Sequence, residues 1–318
     1  MKKVLNLDPE GFSKEGIRLL KNHFAYFESD VVNLDIGILK NFNIIIVKFG
    51  LKFDKDLLSE CKSLEILACP ATGVDHIDSD YCNSRGIKVI SLAGEDIFLK
   101  TIHSSAEHTW ALLCAIYKNI VTSSNFLKLH KVWDRNKFKT RDLFGKTIGI
   151  VGYGRNGKKI ANFAEAFGKK VKIYDKLDFS DVLLEGVNQT SLIDLVKLSD
   201  IIVLTISLNT FTKGLINGNL LSHCAKMPVI INTSRGEIVV EADIIEALES
   251  GKISKYATDV LINEYDKNFL ECSLLYKYSL LNDDVLITPH IAGANIDSWE
   301  KADLFISNKI IEIESKYF

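Results

Sequence analysis

Apolar positions along this chain fall into two alternating rhythms. Short unbroken runs of Val, Ile, Leu and Ala read as buried parallel strands: residues 3–7, 43–48, 65–69 and 87–91, then 147–151, 171–174, 201–205, 229–233, 256–260 and 285–288. Longer stretches between them carry apolar residues every three or four positions and read as helices. They run from the Ser13 cap to about Asn22, over 57–61, up to Gly86, over 106–119, 158–167, 192–196, 241–250 and 296–313. Thr190 or Ser191 can cap the helix that starts at 192, and Gly168 and Gly251 supply helix stops. Strands alternating with helices predict an α/β chain with parallel, doubly wound sheets. The rhythm runs twice, so two such domains are expected.

One stretch breaks it. Leu127 to Phe144 is basic and polar, carries Trp133, and reads either as a solvated connector or as an arm that packs on a partner subunit.

Composition narrows the classes. At 318 residues the chain is long enough for two domains, and 47% hydrophobic with 25% charged residues is an ordinary globular balance. Thirty-nine basic against 41 acidic side chains leave a net charge of −2, which makes no electrostatic case for nucleic acid or an anionic membrane. No apolar run approaches the length of a membrane span. Met1-Lys2-Lys3 starts like a leader, but Asp8, Pro9 and Glu10 interrupt the apolar stretch, so a first strand and a cytoplasmic protein are expected. Cys61, Cys69, Cys82, Cys114, Cys224 and Cys272 form no close pair, which predicts buried thiols in a reducing compartment, without disulfides or metal.

The most informative segment is Gly152-Tyr153-Gly154-Arg155-Asn156-Gly157. It follows an apolar strand and opens a helix, and a second strand then ends on Asp175, 18 positions past Gly157. Gly152 permits a tight turn, Gly154 lets a pyrophosphate approach the backbone, and Gly157 lets helix and strand pack closely. The helix start offers unpaired N–H groups to phosphate. An acid at this distance meets an adenosine ribose diol, so dinucleotide binding is expected, with NAD preferred over NADP because a carboxylate repels a 2′-phosphate.

Ligands of open α/β sheets bind at the carboxyl ends of the strands. There the second half carries Thr233, Ser234 and Arg235 after one strand, Asp259 and then Glu264 after another, and His290 after a third. A guanidinium grips a carboxylate at two points, an imidazole exchanges a proton with a carbonyl or alcohol oxygen near neutral pH, and a carboxylate beside it favours the imidazolium. These are parts of a carbonyl–alcohol redox site. His23, His103, His130 and His223 have no partner pattern and read as structural. His76 and His108 remain open.

Together these stretches resemble the D-isomer-specific 2-hydroxyacid dehydrogenases. The likeness rests on Gly145 to Gly154, Ile231-Asn232-Thr233-Ser234-Arg235-Gly236, Thr288-Pro289-His290-Ile291-Ala292-Gly293, Thr72-Gly73-Val74-Asp75-His76-Ile77-Asp78 and Ala106-Glu107-His108-Thr109, in order over nearly the whole chain. The resemblance implies a discontinuous substrate domain, residues 1–100 with 294–318, around a cofactor domain at 101–293. It implies that Arg235 orients the substrate, that His290 is the proton donor in reduction, and that Glu264 is its partner. Asp259 would touch the nicotinamide carboxamide. Thr72, Arg155, Asn156, Thr205, Ile206, Thr233, Ser234 and Gly293 would line NAD beside the glycine turn, Asp175, Arg235 and His290. Backbone N–H groups of Thr72, Gly73 and Val74 would receive the substrate carboxylate, and Lys48 is a candidate substrate ligand. A homodimer joined through the cofactor domain is implied, and no small regulatory domain is expected after Phe318.

The chain departs from the family pattern in places. Ile206-Ser207-Leu208 stands where proline is frequent, Glu264-Tyr265 replaces the usual Glu-Pro, and the connector from Glu264 to His290 is long. Lys48-Phe49 stands where phosphoglycerate dehydrogenases tend to carry arginine. Lysine keeps the charge and loses the bidentate fork. Two other functions share the fold: an NAD(H)-binding scaffold or co-regulator, and formate oxidation. Relatives that oxidise formate pair the histidine with glutamine, whereas this chain has Glu264.

Overall fold

The computed structural model describes residues 1–31, 34–48, 50–168, 170–179, 183, 185–264, 266 and 268–315. Phe49 and Tyr265, two positions where the sequence departs from the family pattern, lie outside the described residues. The chain forms two compact units, one of residues Met1–Ile102 with Ala294–Phe318 and one of His103–Gly293.

The first unit holds a five-stranded parallel sheet. Its strands are β1 (Lys3–Asn6), β2 (Ala25–Glu28), β3 (Ile44–Ile46), β4 (Ile66–Ala68) and β5 (Lys88–Ile90), in the order β2-β1-β3-β4-β5. Apolar clusters cover both faces, as a parallel sheet requires: Leu5, Ile45, Val47 and Leu67 on one side, Val4, Ile44, Ile46 and Ile66 on the other. Strand β2 was not expected from the apolar pattern. It is an edge strand whose side chains are half-buried or exposed, so no apolar run announces it.

The helix Lys14–His23 starts as the sequence predicts, with the Ser13 hydroxyl accepting from the Gly16 N–H at 3.2 Å. Helix Ile296–Ser315 returns to pack on it. Gly16 makes the approach possible, because a Cβ there would stand 2.8 Å from the Ser307 hydroxyl. Three ion pairs fasten the returning helix within this unit: Lys48 to Asp303 at 3.1 Å, Lys2 to Glu314 at 2.7 Å, and Lys309 to Glu95.

The second unit holds seven parallel strands: β6 (Thr147–Val151), β7 (Lys170–Tyr174), β8 (Val187–Gln189), β9 (Ile201–Leu204), β10 (Val229–Asn232), β11 (Lys255–Thr258) and β12 (Val285–Ile287). Their order is β12-β11-β10-β9-β6-β7-β8, so the winding reverses between β6 and β9. That reversal is the crevice where such sheets bind ligands. Helices Ser104–Tyr117 and Arg155–Ala166 share one apolar layer with the sheet. Leu192–Leu198, capped by Ser191, and Glu241–Glu249 contribute to the other.

The stretch expected as a connector or arm opens on the end of a helix, Ile120–His130, and the residues beyond lack regular structure up to β6. This helix buries no residue, and Leu129, Val132, Trp133 and Phe144 are exposed. Cys272 is exposed rather than buried, because it ends a short surface helix, although all six cysteines are free thiols. Among the described residues no helix is long and apolar enough to cross a membrane.

Candidate active site

The three glycines after β6 are needed for three different reasons. Gly152 has φ +99°, and a Cβ there would meet the Ile206 side chain at 2.6 Å and the Thr205 carbonyl at 2.9 Å. At Gly157 a Cβ would stand 2.2 Å from the Gly152 carbonyl, so this glycine is what lets the helix lie on the turn. Gly154 has nothing within 4 Å of its missing Cβ, which leaves the backbone open to a ligand. The Thr205 hydroxyl braces the turn from β9, donating to the Gly152 carbonyl at 2.6 Å. Helix Arg155–Ala166 begins at Gly154, and its first turn presents N–H groups that no intrahelical carbonyl can accept.

Asp175 stands immediately past β7. One carboxylate oxygen accepts the Tyr153 N–H at 2.8 Å and the other the Leu177 N–H at 3.0 Å. The acid is thereby held against the glycine turn, and each oxygen keeps acceptor capacity for a ribose hydroxyl. An open Gly154, a free helix start and a fixed acid at the second strand end together fit a dinucleotide.

The ends of β10, β11 and β12 are knitted by side-chain to backbone bonds. Asn232, fully buried, accepts the Ser234 N–H at 3.0 Å and donates to the Arg235 carbonyl at 3.0 Å. The Ser234 hydroxyl reaches the Leu204 carbonyl at 2.9 Å, and the Thr233 and Thr109 hydroxyls meet at 2.6 Å. Arg235, half-buried, donates from Nη1 to the Ser234 carbonyl at 2.8 Å. Gly236 then runs against the next loop so closely that a Cβ would lie 2.1 Å from the Leu261 carbonyl carbon. This contact sets the loop that carries Glu264 beside the strand end that carries Arg235.

His290 Nδ1 lies 2.8 Å from a Glu264 carboxylate oxygen. The pair is partly sheltered, with side-chain exposures of 28% and 13%, so the ring is held yet reachable. His290 adopts φ +52°, a left-handed conformation that costs a non-glycine residue about 1 kcal/mol or more. Its N–H bonds the Asp259 and Thr288 carbonyls at 2.9 and 3.0 Å.

Asp259, 1% exposed, organises this loop. Its Oδ1 accepts the Thr288 hydroxyl at 2.5 Å and the Ile291 N–H at 2.9 Å, and its Oδ2 accepts the Ala292 N–H at 2.7 Å. His108 Nε2 lies 3.4 Å from the same Oδ1. Burial pushes this carboxyl up, but the bonds from His108, Thr288, Ala292 and Ile291 outweigh it and hold the group below the usual carboxylate range. Among the described residues no group of three or more His, Cys, Asp or Glu side chains is placed to hold a metal ion.

Residues 110–292 match the family model described as the NAD-binding domain of the D-isomer-specific 2-hydroxyacid dehydrogenases. The chain belongs to this family. It is 30% identical over 301 residues to a hydroxypyruvate reductase of Thermotoga maritima, covering 94% of this chain and 92% of that protein. It is also 30% identical over 277 residues to the D-3-phosphoglycerate dehydrogenase of Bacillus subtilis, but there it spans only about half of the relative's length, 50% against 86% of its own. A solved structure of D-lactate dehydrogenase from Aquifex aeolicus, complexed with NAD and lactic acid, superposes with a TM-score of 0.84 at 28% identity, covering 99% of this chain and 95% of that one.

In the family's terms the second unit is the NAD-binding domain, and its sheet edge carries Gly152, Gly154, Gly157, Asp175, Thr205, Ile206, Thr233, Ser234, Arg235, Asp259, Glu264 and His290. Gly293 is its last residue. Thr72, Gly73 and Val74 belong to the first unit, in a turn after β4, and among the described residues their N–H groups make no intramolecular hydrogen bond.

Lys48 departs from the expectation of a substrate ligand. It is 4% exposed, its ammonium pairs with Asp303 and lies 4.7 Å from the Trp299 ring centre, so its charge is spent inside the first unit. His76 is buried. His108 is a residue that sequence reasoning left open, and its position in the helix Ser104–Tyr117 places it on Asp259.

Proposed function

We propose that this protein is an NAD-dependent D-2-hydroxyacid dehydrogenase that works as a reductase of small 2-oxo acids. The observation that carries this reading is the Glu264–His290 pair, a partly sheltered imidazole anchored through Nδ1 on a carboxylate, on the same sheet edge as the dinucleotide turn. When bound, the nicotinamide supplies the hydride that reaches the substrate's C2. The chain's own groups do the rest. His290 Nε2 gives a proton to the oxygen on C2, and Glu264 keeps the ring oriented and offsets its positive charge. Arg235 grips the substrate carboxylate and polarises the C2 oxygen.

In the first unit, the open N–H groups of the Thr72-Gly73-Val74 turn are suited to a carboxylate. Asp175 supports NAD over NADP, since its carboxylate would face a 2′-phosphate. The burial of Lys48 on Asp303 favours an unphosphorylated acid, such as glyoxylate, hydroxypyruvate or pyruvate, over a phosphorylated one. We further infer a homodimer joined through the NAD-binding unit, supported by exposed Leu129, Val132, Trp133 and Phe144, and a cytoplasmic location, supported by six free thiols.

The test is NADH oxidation with glyoxylate, hydroxypyruvate, pyruvate and 3-phosphohydroxypyruvate, for the wild type and His290→Ala. At least one acid should turn over, with kcat falling about 10²- to 10⁴-fold in the variant. Equal slow rates in both proteins for every acid would end the enzymatic reading. Tight NADH binding without turnover, with a copurifying protein, would favour the scaffold.

A further inference from the structure

We propose that His108 is a positioning residue for the reaction, setting the loop that carries His290 through Thr288 and Asp259. The proposal rests on the reductase reading above and adds a residue outside the Arg235, Glu264, His290 set.

Proton counting comes first. Thr288 has one hydroxyl hydrogen, and the 2.5 Å contact with Asp259 Oδ1 uses it, because an ionised carboxylate can only accept. His108 Nε2 lies 3.1 Å from the same Thr288 oxygen. That oxygen must therefore accept, so Nε2 carries the hydrogen. Its second contact, 3.4 Å to Asp259 Oδ1, is again donor to acceptor. The imidazole is thus a fork that orients the Thr288 hydroxyl and braces the carboxylate.

The consequence follows from what Asp259 does next. Its two oxygens capture the N–H groups of Ile291 and Ala292, while its backbone carbonyl captures that of His290. Three consecutive positions after Pro289, and Thr288 before it, are held from one buried acid. His290 needs that hold, because φ +52° persists only where the surroundings over-determine it. Without the His108 fork, Thr288 can turn away, the carboxylate loses two of its donors, and the loop gains freedom where His290 must meet a 2.8 Å bond to Glu264. A displacement of about 1 Å at a proton donor is enough to lower the chemical rate by about a hundredfold.

The experiment compares wild type with His108→Leu, which removes the N–H, and His108→Gln, whose amide can donate from a similar place. The first readout needs no turnover: amide hydrogen exchange at Ile291 and Ala292. His108→Leu should speed it about tenfold or more, and His108→Gln should return it to within about threefold of wild type. The second readout uses the best 2-oxo acid and NADH deuterated at C4. His108→Leu should lower kcat about ten- to a hundredfold, leave KM for the acid within about twofold, and raise the isotope effect on kcat as the chemical step becomes limiting. A protein that is merely less well folded would lose kcat with the isotope effect unchanged. Unaltered exchange at Ile291 and Ala292 in His108→Leu overturns the proposal, as does His108→Gln failing as completely as leucine. If the wild type reduces no acid, the reductase reading fails, and the exchange measurement still decides whether His108 holds the loop.

Discussion

Replacing Asp303 by asparagine offers a quantitative check on the buried charge of the first unit. Asp303 has no exposed side-chain surface, and it faces Lys48, the Ser13 N–H and the like charge of Asp8. Burial pushes its carboxyl up to about 6 from 3.8, with Lys48 and the Ser13 N–H pulling the other way. Each unit of difference between folded and unfolded chains is about 1.4 kcal/mol, so this shift is worth ~3 kcal/mol. The sign is fixed by proton binding. Between 3.8 and about 6 the folded chain holds a proton that the unfolded chain has released. Stability from this group is therefore complete below 3.8 and is lost as the pH rises through about 6.

The assay is urea unfolding of wild type and Asp303→Asn at a series of pH values between about 4 and 7, followed by the fluorescence of Trp299, which stacks over Lys48. At the acid end, where Asp303 is protonated, the offset between the two curves should be small, because a neutral carboxyl and an amide of the same shape are compared. The change in that offset reports Asp303 itself: wild type minus variant should decrease by ~3 kcal/mol as the pH rises. Should the asparagine variant fail to fold, Asp303→Asn with Lys48→Met removes both charges and gives the same pH-dependent difference. Parallel curves would refute the reasoning, because they would mean that Lys48 and Ser13 fully offset the burial of the carboxylate.

Two further outcomes follow from the site. Gly236→Ala should cost about 2 kcal/mol in thermal or urea unfolding and lower kcat as well, since the new methyl would press on the Leu261 carbonyl group and push away the loop of Glu264; unchanged kinetics would show that this loop is not placed by the contact. Asp175→Ser should reduce the ratio of kcat/KM for NADH over NADPH by about tenfold or more, and an unchanged ratio would remove Asp175 from the ribose site.

The sheet architecture was readable because each central strand is apolar on both faces, a pattern that polar loops cannot imitate. Strand β2 escaped because an edge strand with half-exposed side chains has no such run. The glycine turn was readable too, since the demands on Gly152, Gly154 and Gly157 are local. What could not be read were partners distant in the chain. Lys48 looks like a loose cation until Asp303, 255 positions later, is brought to it. Asp259 looks like one more acid after a strand, and nothing near it in sequence says that Thr288, Ile291 and Ala292 will share its oxygens. His108 lies in a stretch that carries the family likeness, but its contact exists only 180 positions away at Thr288.

The returning helix gives the protein an order of birth. Residues 103–293 leave the ribosome as a complete unit, whereas the first unit, begun earlier, waits for residues 296–315. Until that helix arrives, Lys48 has no counter-ion from Asp303, and the apolar side chains of Phe12 and Leu20 lack the Ala302, Ile306 and Ile310 layer that shares their cluster. The first half made is therefore the last half finished, and a stalled or shortened chain would carry a finished NAD-binding unit beside a sticky, unfinished one.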